Sequence, residues 1–344
     1  MNTRIERITD TTEYGDALDL AAEIILSGGL VVFPTETVYG LGGNGLLSDA
    51  AMKIYSAKGR PSDNPLIIHI AEPEDADEYA HTSDIYYRLA QAFMPGPLTV
   101  IMPKRDCIPL SVTGGLDTVA VRCPSHPIAH ELIKKCGVPI AAPSANISGR
   151  PSPTSAEYVI EDMQGRVDMI IDGGECEIGL ESTIVKIDGN SLTLLRPGAI
   201  TYDAICCVCD DVKIAPAVLE KLAENEKPLS PGMKYRHYAP NSDFVLLDGD
   251  DKDVLEFIKK EQMENNCAVL CYDEEFEHLA PSLSISIGKK DDLPTQAKRL
   301  FTSLREADKL GATKIYAHLP TLDGLGLALY NRMIRAAAHT IKKI

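Results

Sequence analysis

Short apolar runs recur along the first two hundred residues, at 30–33, 66–70, 98–102, 118–121, 138–142, 168–172, 183–185 and 192–195. No other feature limits the possible folds as much. Several are separated by stretches with apolar groups at helical spacing, at 14–27, 49–57, 84–93 and 127–136. In the first of these Leu18, Ala21, Ala22 and Ile25 fall on one face, and Gly28-Gly29 stops it. Brief aliphatic runs alternating with amphipathic helices predict buried strands of an α/β sheet.

The 344 residues exceed what one hydrophobic core usually holds, which predicts two domains. The pattern becomes irregular over 203–227. It then resumes as strands and helices at 244–247, 254–260, 268–272 and 283–287, followed by a long helix over 295–311, a strand at 315–317 and a closing helix over 325–341. This gives a second, smaller α/β domain. The boundaries read as 1–210, a linker at 211–240, and 241–344.

Formal net charge is −16. An acidic surface disfavours general nucleic-acid binding, which needs basic contacts to phosphate. No apolar run is long enough to span a bilayer, and the first residues lack an apolar export core, so a cytoplasmic protein is expected. Of the nine cysteines, only Cys206-Cys207-Val208-Cys209 cluster, without a matching Cys/His pair at zinc spacing. They are expected to be reduced and structural.

Against this acidic background, groups suited to anions stand out. Lys58-Gly59-Arg60-Pro61-Ser62-Asp63-Asn64-Pro65 holds two cations in a stretch stiffened by proline, and reads as an exposed basic loop suited to phosphate or carboxylate. A solvated basic loop is the competing reading. Arg122 and Arg196 each end an apolar run, and Arg122 needs either a structural carboxylate or a ligand. Ala142-Pro143-Ser144-Ala145-Asn146-Ile147-Ser148-Gly149 follows another run with small hydroxyl and amide residues. His69 lies within its strand, where a lone histidine is more often a satisfied structural residue. Placed at strand ends of one domain, these groups predict one cleft for a polyphosphate or acyl-phosphate-like ligand. The stretch 230–240, with Lys234, Tyr235, Arg236, His237 and Tyr238, reads as a linker that touches something anionic or flat.

Lys58-Gly59-Arg60 paired with Ser144-Ala145-Asn146 resembles the signature of the YrdC-like family. Pro34-Thr35-Glu36-Thr37-Val38-Tyr39-Gly40-Leu41 and the 142–149 stretch match further family segments. The 230–240 stretch and Gly324-Leu325-Gly326-Leu327-Ala328 with Asn331-Arg332 resemble its longer, two-domain members, the threonylcarbamoyl-AMP synthases. The resemblance implies a YrdC-like twisted mixed sheet with helices around a large cleft, plus a smaller C-terminal Rossmann-like α/β domain.

It also implies a nucleotidyltransferase that joins L-threonine, bicarbonate or CO2, and ATP into threonylcarbamoyl-adenylate, releasing pyrophosphate. A downstream complex then transfers the threonylcarbamoyl group to tRNAs that read ANN codons. Carried onto this sequence, Lys58, Arg60, Asn64, Thr118, Ser144, Asn146, Ser152 and Arg196 would hold ATP, with Tyr235 or His237 from a linker acting as lid. Lys58 and Arg60 would also serve catalysis. Thr35, Thr37, His69, Arg122, Ala142 and Ser182 would hold threonine or its carbamate. Mg2+ is expected to arrive with ATP, without protein ligands. The acidic first domain argues against stable tRNA binding by this chain, and no membrane contact is expected. An RNA-binding module and a carbamoyl-transfer domain of the hydrogenase-maturation type are the alternatives, although acylphosphatase and zinc-finger segments that would accompany the latter do not appear.

Overall fold

The strands of the first unit follow the apolar runs closely. The structure is a computed structural model that describes residues 2–9, 14–220 and 238–344. The chain divides into two compact units: residues 1–148, 152–177 and 181–234 form the first, and 149–151, 178–180 and 235–344 the second.

The first unit contains β1 (Arg4–Arg7), β2 (Val31–Phe33), β3 (Gly40–Asn44), β4 (Ile67–His69), β5 (Leu98–Pro103), β6 (Thr118–Arg122), β7 (Ile140–Ala141), β8 (Met169–Asp172), β9 (Thr183–Asp188), β10 (Ser191–Arg196) and β11 (Val212–Ile214). They form one sheet in the order β1-β8-β2-β3-β7-β4-β6-β5-β9-β10-β11. Pairing is mixed: β4 runs parallel to β6, while β7 runs antiparallel to β4 and β5 antiparallel to β6.

Helices Ala17–Leu26 and Pro127–Cys136 lie over β2 and β8. Leu18, Ile25, Ile128 and Leu132 bury against Val31, Phe33, Met169 and Ile171. Each such side chain contributes about 1.5–3 kcal/mol when fully buried. This wall fixes β2, and with it the Thr35–Thr37 segment that follows.

Two strands differ from expectation. Gly40–Asn44 lies outside the apolar runs of the sequence, yet forms buried strand β3. A Cβ at Gly42 would lie 2.6 Å from Phe33 Cε1 and 2.8 Å from Ile140 Cγ2, so glycine lets β2 and β7 close around it. The Arg4–Arg7 strand is short and largely exposed, and pairs parallel with β8 at the sheet edge.

The second unit contains β12 (Asp243–Asp248), β13 (Cys267–Cys271), β14 (Ser284–Ser286), β15 (Lys314–His318) and β16 (Ile341–Lys343), in the order β14-β13-β15-β12-β16. All four pairings are parallel. Helices Asp251–Glu264 and Leu293–Lys309 connect them, and Leu247, Val254, Ile258, Val269 and Tyr316 form a core. The helix expected over 325–341 ends earlier, at Ala336, and the chain turns through positive-φ Ala338 and His339 into β16. The doubly wound parallel arrangement is Rossmann-like. All nine cysteines are free thiols. Among the described residues no helix is long and apolar enough to cross a membrane.

Candidate active site

Helix Ser48–Lys58 ends on the first candidate residue, and left-handed Gly59 (φ 62°) closes it. Lys58 Nζ donates to the carbonyl of Ser144, to that of Asn146 at 2.5 Å, and to Asn146 Oδ1 at 3.3 Å. Ser144 Oγ lies 2.5 Å from the same Oδ1. The amide of Ser148 returns a bond to the Lys58 carbonyl at 2.9 Å. One ammonium thus fixes the segment after β7, and carbonyl dipoles replace the water it has lost.

Arg60 turns onto its own loop. Its Nε donates to the Asn64 carbonyl at 3.2 Å and its Nη2 to that of Pro65 at 3.0 Å. Lys58 is 2% and Arg60 9% exposed. The expectation of an exposed basic loop at a strand end is therefore corrected: the loop follows a helix, and both cations are buried because main-chain acceptors surround them. Asn64 is buried too, and its Oδ1 has no hydrogen-bond partner among the described residues. Thr118 opens β6 at this same end, two residues before the Ile67–Ala120 pair. Ala142 lies midway, donating its amide to the Ile67 carbonyl at 2.9 Å.

The other end of β4 and β6 carries a second group. Adjacent-strand register pairs Ile140 with His69, His69 with Arg122, and Arg122 with Thr99. From Thr118 to Arg122 is about 13 Å along the strand. Arg122 Nη2 donates to Glu36 Oε1 at 2.7 Å, and Glu36 Oε2 accepts from the Ser125 amide at 3.2 Å. Arg122 Nε is buried without a hydrogen-bond partner among the described residues. The structural carboxylate that Arg122 required is thus Glu36. Sequence reasoning gave that residue no role, because the two lie 86 positions apart and nothing local links them.

Thr35 Oγ1 donates to the Val38 carbonyl at 2.6 Å and lies 2.9 Å from Thr37 Oγ1. Both hydroxyls are buried. Ser182 joins two strands: its Oγ is 2.7 Å from Thr99 Oγ1, and it accepts from Arg196 Nη2 at 3.1 Å. Arg196 Nε also donates to the Ser182 carbonyl at 3.0 Å. Thr99 was not anticipated, since a lone hydroxyl in an apolar run carries no sequence signal. Ser152 Oγ donates to Glu181 Oε1 at 2.6 Å.

His69 is fully buried, and its Nδ1 lies 3.3 Å from the Ile140 carbonyl. Burial, reinforced by the Arg122 charge, lowers its pKa to about 3. The ring is neutral near pH 7, and Nδ1 donates to the Ile140 carbonyl in the tautomer that carries the proton there.

Seven of the sequence-predicted residues therefore meet as Lys58–Ser144–Asn146, Arg60–Asn64 and Ser182–Arg196. Thr35 and Thr37 bond each other, His69 and Arg122 are register partners, and Ser152 is tied to Glu181. Arg196 joins the Ser182 end of the sheet, not the Lys58 end. Tyr235 and His237, and residues 221–237 of the expected linker, lie outside the described residues.

Comparisons with known proteins fit this architecture unit by unit. A family model described as Telomere recombination, for the Sua5, YciO and YrdC proteins, matches residues 23–198. A second, described as Threonylcarbamoyl-AMP synthase, C-terminal domain, matches residues 200–338. The threonylcarbamoyl-AMP synthase of Pyrococcus abyssi is 44% identical over 94% of this chain and 95% of its own length. That of Bacillus subtilis is 41% identical over 97% of each chain. Among solved structures, P. abyssi Sua5 complexed with L-threonine superimposes with a TM-score of 0.90 at 42% identity, covering 99% of this chain and 100% of the other. Escherichia coli YciO, at 23% identity and TM-score 0.52 over 57% of this chain and 96% of its own, shares the fold. With both units matched in order over nearly their whole length, the chain belongs to the threonylcarbamoyl-AMP synthase family.

Proposed function

We propose that the protein makes L-threonylcarbamoyladenylate from L-threonine, bicarbonate or CO2, and ATP, with release of pyrophosphate. The observation that carries this is the end-to-end match to a chain solved with L-threonine. The product would pass to a tRNA threonylcarbamoyl-transfer complex acting on tRNAs that read ANN codons. Residues 1–210 would carry the chemistry.

The chemistry suits the residues. The threonine amine adds to CO2, loses a proton and becomes a carbamate. A carbamate oxygen attacks the α-phosphorus of ATP, the bond to the β-phosphate oxygen breaks, and pyrophosphate leaves. Positioning and charge neutralisation dominate such a transfer. On this reading Lys58 fixes the Ser144–Asn146 segment against the nucleotide, while Arg60, Asn64, Thr118, Asn146, Ser152 and Arg196 line its path. Arg122 Nε supplies a donor for the threonine carboxylate, an arrangement consistent with its unpartnered burial. Thr35, Thr37 and Ser182 read the threonine hydroxyl, and Ala142 leaves room for the backbone to approach. His69, neutral, orients without adding charge. Mg2+ would come with ATP, carried by phosphate oxygens and water.

The test is threonine-dependent pyrophosphate release from ATP and bicarbonate, with the adenylate identified by mass. Folded protein that releases none would defeat the reading.

A further inference from the structure

The turn that follows β8 takes no part in this chemistry, yet it grips the Thr35–Thr37 segment from behind. Tyr39, fully buried, is the link. Its hydroxyl donates to the Gly174 carbonyl at 2.6 Å and accepts from the Gly173 amide at 3.2 Å. Asp172 Oδ1 keeps the turn in shape by accepting from the Gly174 amide at 3.0 Å. At the other end of the segment Gly173 backs onto Pro34: a Cβ there would lie 2.6 Å from Pro34 Cγ and 2.6 Å from Ile128 Cδ1. The turn therefore closes on residues 34 and 39, at either side of the two threonines. The Tyr39 main chain continues the connection, its amide donating to the Pro153 carbonyl at 3.0 Å and its carbonyl accepting from the Ala145 amide at 2.8 Å.

The grip matters because of where the hydroxyl hydrogens go. Thr35 Oγ1 donates to the Val38 carbonyl at 2.6 Å, and a hydroxyl has only one hydrogen to give. In the 2.9 Å contact between the two threonine hydroxyls Thr37 must then be the donor. With both hydrogens placed, Thr37 Oγ1 presents only lone pairs. A group that meets it has to bring its own donor. The hydroxyl of L-threonine can do so, whereas L-valine, of the same shape, puts a methyl there. This order lasts only while the Val38 carbonyl faces Thr35, and Val38 is the residue next to Tyr39.

We propose that Tyr39 is a positioning residue for substrate selection: anchored to the turn after β8, it holds Val38 in place and so keeps Thr37 an acceptor that separates threonine from valine. The inference rests on the reading that threonine is the substrate.

The test is calorimetric titration of the full chain with L-threonine and with L-valine. Tyr39→Phe keeps the ring and drops the hydroxyl. It should raise the Kd for threonine about tenfold while leaving that for valine within about twofold, so that the ratio between the two narrows. Gly173→Ala, which presses on Pro34, should narrow the ratio in the same way, and it carries the test if Tyr39→Phe does not fold. Tyr87→Phe, which loses a bond to Asp77 on an exposed surface, should bind both amino acids as the parent does. A merely structural role for Tyr39 would weaken both amino acids alike, and that result overturns the proposal. A parental ratio in Tyr39→Phe, with threonine still bound, overturns this inference alone. A parent that binds no threonine overturns the proposed function and this inference with it.

Discussion

Arg122 and Glu36 meet at 2.7 Å with each side chain only 5% exposed. The pair joins the end of β6 to the loop after β2, and the Ser125 amide completes the carboxylate. Breaking a buried pair by removing one partner leaves the other charged and dry. Glu36→Ala should lower the unfolding free energy by about 3–5 kcal/mol in urea titrations. Arg122→Ala should cost a similar amount and also raise KM for threonine. A Glu36→Ala protein as stable as the parent would show that the pair is solvated.

His69 gives a pH signature. Its folded pKa, about 3, lies below the ordinary 6.5, so the unfolded chain takes up the proton first. Stability from this group is complete above about pH 6.5 and declines as pH falls towards 3, at up to about 1.4 kcal/mol per pH unit. His69→Gln should flatten that slope, and the ring resonances of the parent should not titrate between pH 8 and about 5. A His69 titration near 6.5 would contradict the buried geometry.

Lys58 cannot be exchanged for arginine without loss. Its compact ammonium reaches three oxygens of Ser144 and Asn146, whereas a planar fork cannot point at them together. Lys58→Arg should destabilise the protein by about 2–3 kcal/mol and raise KM for ATP more than KM for threonine. Equal effects on the two constants would remove Lys58 from the nucleotide end.

Ser182→Ala removes the hydroxyl shared by Thr99 and Arg196. The expected loss is about 1–3 kcal/mol, read as a tenfold to hundredfold drop in kcat/KM for threonine with KM for ATP held. A change confined to ATP would place Ser182 elsewhere in the reaction.

Gly198→Ala tests the scaffold behind that serine. A Cβ there would lie 2.6 Å from the Thr183 amide nitrogen and 2.9 Å from the Glu181 carbonyl. The 181–183 strand entry must shift, costing about 1–3 kcal/mol and most of the turnover, although Gly198 itself offers no functional group. Parental kcat in this variant would show that the entry tolerates displacement.

The apolar runs at 98–102, 118–121 and 168–172 were legible as strands because buried β-structure leaves a continuous aliphatic trace. Helix Pro127–Cys136 was legible to the residue, framed by proline at its start and Gly137 at its end. Strand β3 was hidden, since Gly-Leu-Gly-Gly-Asn is poor in strand formers and acquires its shape only between β2 and β7. Lys58 and Arg60 were legible as a pair of interest but not as buried, because their acceptors are main-chain carbonyls that every sequence possesses. Glu36 and Thr99 were missed for a related reason: their partners come from distant strands.

Arg60 bonds two carbonyls of its own loop. The chain itself therefore helps to keep that loop in shape. An arriving anion meets a preset electric field instead of a floppy chain it must first order, so little conformational entropy is lost on entry and the affinity reports chiefly the match of charge and form.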